Sequence, residues 1–409
     1  MVSVLKVLST CLIFCGVFEF TMSATTQEKA VQSLEALTNG SNKFAINLYQ
    51  TLIKQKPNEN LIVSPTSLMM VLSLAYIGSK GQTAKEIADA LGLPSNSEDV
   101  LVGYNQLIQD LRNPVLKLVN KIFADSSLQL KEEFQKQATE YFLSAAQNVD
   151  FLHNAEVARQ TINTWVEDNT NNKIKDLLAP GVVDASTRLV LTNAIHFKAN
   201  WKLKFDPTET SKENFYVTPD TTVKVDMMHT KDKFGFKHHM ELEAKMLQLP
   251  YEGDDFRLIV ILPDKPDGLA NVESKLQTLN LQEEFSSFRK TTVLVGMPKF
   301  KMESTIDLED ILIQLGMPSM FSEADFSGIA QGENLQVSKV VQKAFIEVNE
   351  EGTEAAAATG MVMSYSLPLL PQRQETFIAD HPFISVLIKK NPIISVIFLG
   401  RVEKPNINL

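Results

Sequence analysis

"VNEEGTEAAAATGMVMSYSLPLLPQRQE" (348–375) decides how this chain is to be read. It opens like a strand, passes through two acids and Gly352 into Ala355–Ala358, and ends bulky and proline-studded. Consecutive alanines favour helix. Yet no helical apolar face follows, and Gly360 interrupts the run. A segment of this kind near the C-terminus has to be explained by the rest of the chain.

The 409 residues can bury a large core, with 44% hydrophobic and 22% charged residues, as in ordinary globular proteins. A formal net charge of −10 argues against nucleic-acid binding, which relies on Lys and Arg to neutralise phosphates. At the N-terminus, "MVSVLKVLSTCLIFCGVFEFTMSA" (1–24) has the form of a secretory signal peptide. Lys6 precedes an apolar run, small residues follow, and cleavage is expected near Ser23 or Ala24. The run is too short for a membrane anchor and Glu19 interrupts it, so no membrane association is expected. The domain expected after cleavage is 25–409. Both cysteines, Cys11 and Cys15, lie in the leader, so the secreted protein would rest on its core without disulfides. Secretion also makes the sequon at Asn39 a glycosylation candidate.

No repeat or long linker divides the chain, which reads as one unit. Its first third is mainly helical. "EKAVQSLEALTNGSNKFAINLYQTLIKQ" (28–55) spaces apolar residues three and four apart, and Ser64 with Pro65 starts a second helix, apolar nearly all round. "NAEVARQTINTWVEDNTNNKIKDLL" (154–178) predicts another, capped by Asn154. Beyond Thr187, runs rich in Val, Ile, Leu and Phe predict strands, interrupted by a short helix at 307–317. The last two runs flank Asn391-Pro392 and predict a buried hairpin. Helices first and mostly antiparallel strands later define an α+β domain.

Catalytic and cofactor motifs are missing: G-x-S-x-G, H-E-x-x-H, the phosphate-cradling loop and G-x-G-x-x-G. The six histidines are scattered, and the adjacent His238 and His239 point in different directions on a strand or helix. No metal, cofactor or enzymatic activity is expected. Lys198, Lys202 and Lys204 cluster in "FKANWKLKF" (197–205) and read as a solvated strand edge rather than a polyanion site.

Five stretches in order resemble the serpins, the serine protease inhibitor superfamily: "NLIVSPTSLMMVLSLAYIGSKGQTAKEI" (60–87), "LTNAIHFKANW" (191–201), "SKVVQKAFIEVNEEGTEAAAAT" (338–359), "ADHPFISVLI" (379–388) and "FLGRV" (398–402). The resemblance implies the serpin fold, with three β-sheets, about nine helices and an exposed reactive-centre loop over about 351–376. It also implies suicide inhibition. A protease serine attacks one loop bond, and the cleaved loop then inserts as a new central strand of the large sheet and drags the acyl-enzyme with it.

The hinge, Glu350 to Thr359, meets the demands of that mechanism. A central strand cannot contain proline, and none occurs between Pro318 and Pro368. Thr353, Ala355, Ala357 and Thr359 fall on the face that would turn inward, and all are small and uncharged. Glu354, Ala356 and Ala358 would face outward, and Gly352 supplies a pivot. Serpins that do not inhibit tend to carry prolines, charges or bulk at these positions. Other residues carry over by motif: Ser64, Ser67 and Asn193 match the polar cluster beneath the sheet, called the shutter, and Trp201 matches the tryptophan where insertion begins. Gln342 stands where many relatives have histidine; its amide can donate and accept, with a weaker pH dependence.

Counting fourteen residues beyond Gly352 gives Ser366-Leu367 as the reactive bond. Tyr365-Ser366 is the alternative, and Arg373-Gln374 applies if the extra loop length lies before the bond. The expected target is therefore a chymotrypsin-like or elastase-like extracellular serine protease, bound covalently by a monomeric inhibitor. A non-inhibitory binding or storage protein on the same fold is the alternative function.

Overall fold

The computed structural model describes residues 2–331, 335–353, 374–390 and 392–405, with the backbone alone for 2–27. Among the described residues there are nine helices: α1 (Val2–Gln55), α2 (Pro65–Ile77), α3 (Gly81–Leu91), α4 (Ser97–Leu111), α5 (Glu132–Phe142), α6 (Phe151–Asn169), α7 (Leu269–Lys275), α8 (Leu281–Ser286) and α9 (Glu309–Gln314). The first strands are β1 (Leu61–Val63), β2 (Leu116–Asp125), β3 (Gln129–Leu130), β4 (Gln147–Val149), β5 (Leu189–Phe197) and β6 (Ala199–Asn200). Next come β7 (Ser211–Thr218), β8 (Thr221–His239), β9 (Ala244–Pro250), β10 (Phe256–Pro263), β11 (Arg289–Pro298) and β12 (Phe300–Asp307). The last are β13 (Ala330–Gln331), β14 (Lys339–Val348), β15 (Gly352–Thr353), β16 (Gln374–Ile378), β17 (Phe383–Lys389) and β18 (Ser395–Val402).

These strands form three sheets. The one that matters most for function runs β4-β2-β5-β14-β15-β6, with β12 paired to β14. A second runs β1-β18-β17-β10-β9-β8-β11-β16, with β7 paired to β8, and β13 and β3 make a two-stranded third. Between the two large sheets lies α2, whose residues from Pro65 to Ala75 are all buried. Ser64 caps it by accepting a hydrogen bond from Ser67 N–H, and Pro65 takes the first turn, where a missing N–H costs nothing. The expected hairpin is present as β17 and β18, whose strands are buried along their whole length.

Three local expectations change, one being that α6 ends at Asn169 rather than at the expected Leu178. The cap of α6 is Asp150, which accepts from His153 N–H, whereas Asn154 sits inside the helix at a kink with φ −138° and ψ 48°. The "mainly helical" first third also contains β2, which lies between β4 and β5 in the seven-stranded sheet. On the face opposite α2, α6 covers the lower half of that sheet. Its Phe151, Ile162 and Val166 pack in one cluster with Val190, Ala194 and Val341. No described helix is long and apolar enough to cross a membrane.

Candidate functional site

The site is a seam in the large sheet. Strands β5 and β14 run parallel and pair directly, from Lys339 opposite Val190 up to Phe345 opposite His196. Above that point they part, and β15 fills the gap: Thr353 stands opposite Val348 on one side and Ala199 on the other, antiparallel to both. The chain reaches the gap through a tight turn, in which Asn349 N–H donates to the Gly352 carbonyl at 2.9 Å and the Asn349 side-chain oxygen accepts from Glu351 N–H at 3.1 Å. Gly352 has φ +153°, and a Cβ there would lie 2.1 Å from the Ala199 carbonyl oxygen. Glycine is thus required by close backbone approach, which sharpens its expected role as a pivot.

Side chains clamp this turn. Trp201, almost fully buried, donates from Nε1 to the Asn349 carbonyl at 2.9 Å and from its backbone N–H to the Glu351 carbonyl at 2.8 Å. Tyr251 stacks on it, with ring centroids 4.3 Å apart, and its hydroxyl lies 2.6 Å from Thr353 Oγ1. Burial pushes the Tyr251 phenol up, only partly offset by the bond to Thr353, so it is a neutral hydroxyl here. Glu350 reaches Lys299 at 2.9 Å and accepts from Thr210 Oγ1 at 2.9 Å. Burial disfavours its charge, but the Lys299 bond and further hydrogen bonds outweigh it and hold the carboxyl below its ordinary range. Glu351 pairs with Lys204 at 2.5 Å.

Below the gap lies a buried polar cluster. Ser64, Ser67, Asn193 and Gln342 are each 0% exposed. The Gln342 amide accepts from Ser64 N–H at 2.8 Å, donates to the Ser64 carbonyl at 2.9 Å, and donates to the Asn193 side-chain oxygen. Asn193 in turn donates to Ser67 Oγ at 2.6 Å and to the Asn120 side-chain oxygen. Ser64 Oγ donates to the Ile397 carbonyl at 2.6 Å, tying the cluster to the second sheet. The motif-derived residues therefore meet around one seam.

Sequence reasoning missed Asn120, Tyr251, Lys299 and Thr210. Asn120 was hidden because β2 went unrecognised, and the other three carry no signal beyond ordinary strand or loop composition. The hinge residues Glu354 to Thr359 and the bonds Ser366-Leu367, Tyr365-Ser366 and Arg373-Gln374 lie outside the described residues, save that Gln374 begins β16. Two of the clustered lysines pair with acids rather than lining a bare edge: Lys204 with Glu351 and Lys202 with Asp254. Asn39 is exposed on α1. Among the described residues no group of His, Cys, Asp or Glu could hold a metal ion.

This is a three-sheet α+β fold whose seven-stranded sheet already holds the first residues of its own hinge. The family model described as serpin (serine protease inhibitor) matches residues 39–405, and the chain belongs to the serpin family. Leukocyte elastase inhibitor of Bos taurus is 38% identical and aligned over 91% of this chain and 100% of its own. The crystal structure of a highly specific serpin from the insect Tenebrio molitor superposes with a TM-score of 0.83 at 36% identity, covering 91% of this chain and 99% of its own. Human thyroxine-binding globulin, solved with its hormone, gives 0.82 at 29% identity over 91% and 100%.

Proposed function

We propose that this protein is a secreted inhibitor that traps chymotrypsin-like or elastase-like serine proteases covalently through Ser366-Leu367. The protease serine Oγ attacks the Ser366 carbonyl carbon. The Ser366–Leu367 C–N bond breaks, the Leu367 amine leaves with a proton, and an ester joins protease to inhibitor. Hydrolysis of that ester then competes with insertion of the loop into the seam.

One observation carries the reading: the register that Thr353 makes with both neighbours. Continued downward on loop insertion, it would set Ala355 between Ile346 and Phe197, Ala357 between Ala344 and Ile195, and Thr359 between Gln342 and Asn193. A hydroxyl would thus meet the Gln342–Asn193 pair. The same register would bring Ala358 beside Ala194 and Gly360 beside Val341, both of which pack in the cluster under α6, so that small residues suit this path. Small size on both faces is what this path needs.

The leader at 1–24 supports secretion, and its removal would leave 25–409 as a monomeric domain with Asn39 open to glycosylation. N-terminal sequencing and enzymatic deglycosylation of protein collected from a eukaryotic culture medium test both points. For the inhibitory reading, incubation with chymotrypsin, elastase and trypsin should give an SDS-stable complex with at least one. The mass of the released C-terminal peptide identifies the bond. The resemblance to a hormone-binding globulin keeps a non-inhibitory binding role as the rival; simple loop cleavage by all three enzymes would favour it.

A further inference from the structure

The geometry points to Tyr251 as a positioning residue that seats the hinge in the sheet and thereby sets how the acyl-enzyme divides between trapping and hydrolysis. This rests on the insertion mechanism proposed above. Tyr251 and Thr353 are both 0% exposed, and their hydroxyls are 2.6 Å apart. Buried hydroxyls need partners, so each makes the other's position favourable. Thr353 is the first loop residue with ladder partners on both sides, and on insertion the residues after it would take their register from it.

Tyr251 suits this role because it is fixed from elsewhere. It follows β9, and its N–H donates to the Phe256 carbonyl at 3.1 Å where β10 begins. Its ring stacks on Trp201 and meets Phe197 edge-on, with centroids 4.9 Å apart. Strand β9 belongs to the second sheet, while the seam that must open lies between β5 and β14 of the first. Tyr251 therefore holds Thr353 at the top of the gap from a body that insertion does not split. Once the loop is cut, insertion starts from a pair already made and has only to extend. An unseated hinge must first find that pair while hydrolysis proceeds.

Four variants test this: Tyr251→Phe, which keeps the ring and its stacking, Thr353→Val, the double variant, and Thr353→Ser, which keeps the hydroxyl. The moles of inhibitor consumed per mole of protease are measured with whichever of chymotrypsin or elastase forms the SDS-stable complex. Hydrogen exchange at the Gly352 and Thr353 amides is followed without any protease. Tyr251→Phe and Thr353→Val should each raise the excess of this consumption over one, which is the ratio of hydrolysis to trapping, by roughly three- to tenfold, the factor for one lost hydrogen bond, and speed exchange at the hinge. The double variant should match either single one, and Thr353→Ser should behave as the unaltered protein. Unchanged consumption in a folded Tyr251→Phe protein, additive effects, or failure of Thr353→Ser to preserve the phenotype would each overturn the assignment. If the unaltered protein traps neither enzyme, the proposed function fails and the effect on partitioning falls with it. The exchange data then still decide whether Tyr251 seats the hinge, and unchanged exchange would overturn that too.

Discussion

Gln342 and Asn193 stand directly opposite each other across the seam and are joined side chain to side chain, with Gln342 donating. The same amide satisfies both backbone groups of Ser64 at the start of α2. One residue therefore holds the seam shut and fixes the buried helix beneath it.

Replacing Gln342 by alanine should leave the Ser64 N–H and carbonyl and the Asn193 oxygen without this partner. An unsatisfied buried polar group costs about 1–3 kcal/mol, so Gln342→Ala should lower stability by at least that amount. Guanidinium denaturation followed by tryptophan fluorescence measures it; a loss below about 0.5 kcal/mol would mean that water or Asn120 replaces the amide.

The Glu350–Lys299 pair predicts a pH dependence with a definite sign. The folded-state pKa of Glu350 is lowered, so its contribution is present above the ordinary carboxyl pKa and disappears as pH falls through the lowered value. Glu350→Gln should therefore melt below the unaltered protein at neutral pH, and the gap should close on acidification into and below the ordinary carboxyl range. Thermal melts of both proteins across that range check it, and a gap that widens in acid would contradict the assignment.

Thr353→Arg would force a charge into a fully buried position between Val348 and Ala199. Burying an unpaired charge costs several kcal/mol, and each 1.4 kcal/mol is about tenfold. The variant should thus be cleaved as a substrate, with more than about tenfold more consumed per protease trapped. Undiminished complex formation would argue against insertion from this hinge.

Loop cleavage itself should raise the melting temperature if the loop enters the seam. Ala358→Trp should abolish that rise while leaving the bond cleavable, because the projected path carries Ala358 beneath α6. Differential scanning calorimetry before and after cleavage distinguishes the cases. An equal rise in the tryptophan variant would require a different path.

Much of the fold was legible in the chain because its signals are local. The Ser64-Pro65 start of α2, the apolar periodicity of α1 and the continuous apolar runs of β17 and β18 each act within a few residues. β2 escaped notice because its burial is uneven along the strand, buried at Leu116, Val119 and Ile122 and only half-buried between; that spacing mimics a helix more than a strand. Asn120 was lost with it. The cap of α6 was misplaced by four residues because Asp150 and Asn154 are equally suitable by type, and only the packing of Phe151 against the sheet decides between them.

By itself the sequence determined the membership of this chain in its family and the chemistry of its hinge. Side-chain size and a free N–H belong to a residue wherever it sits, so "EEGTEAAAAT" is fit for a sheet interior before any sheet is known. Only the tertiary structure decided what that segment would meet. Thr353 lies opposite Val348 and Ala199, and it bonds a tyrosine 102 residues away. Register is a relation between strands brought together by long-range packing, and no single stretch of chain contains it.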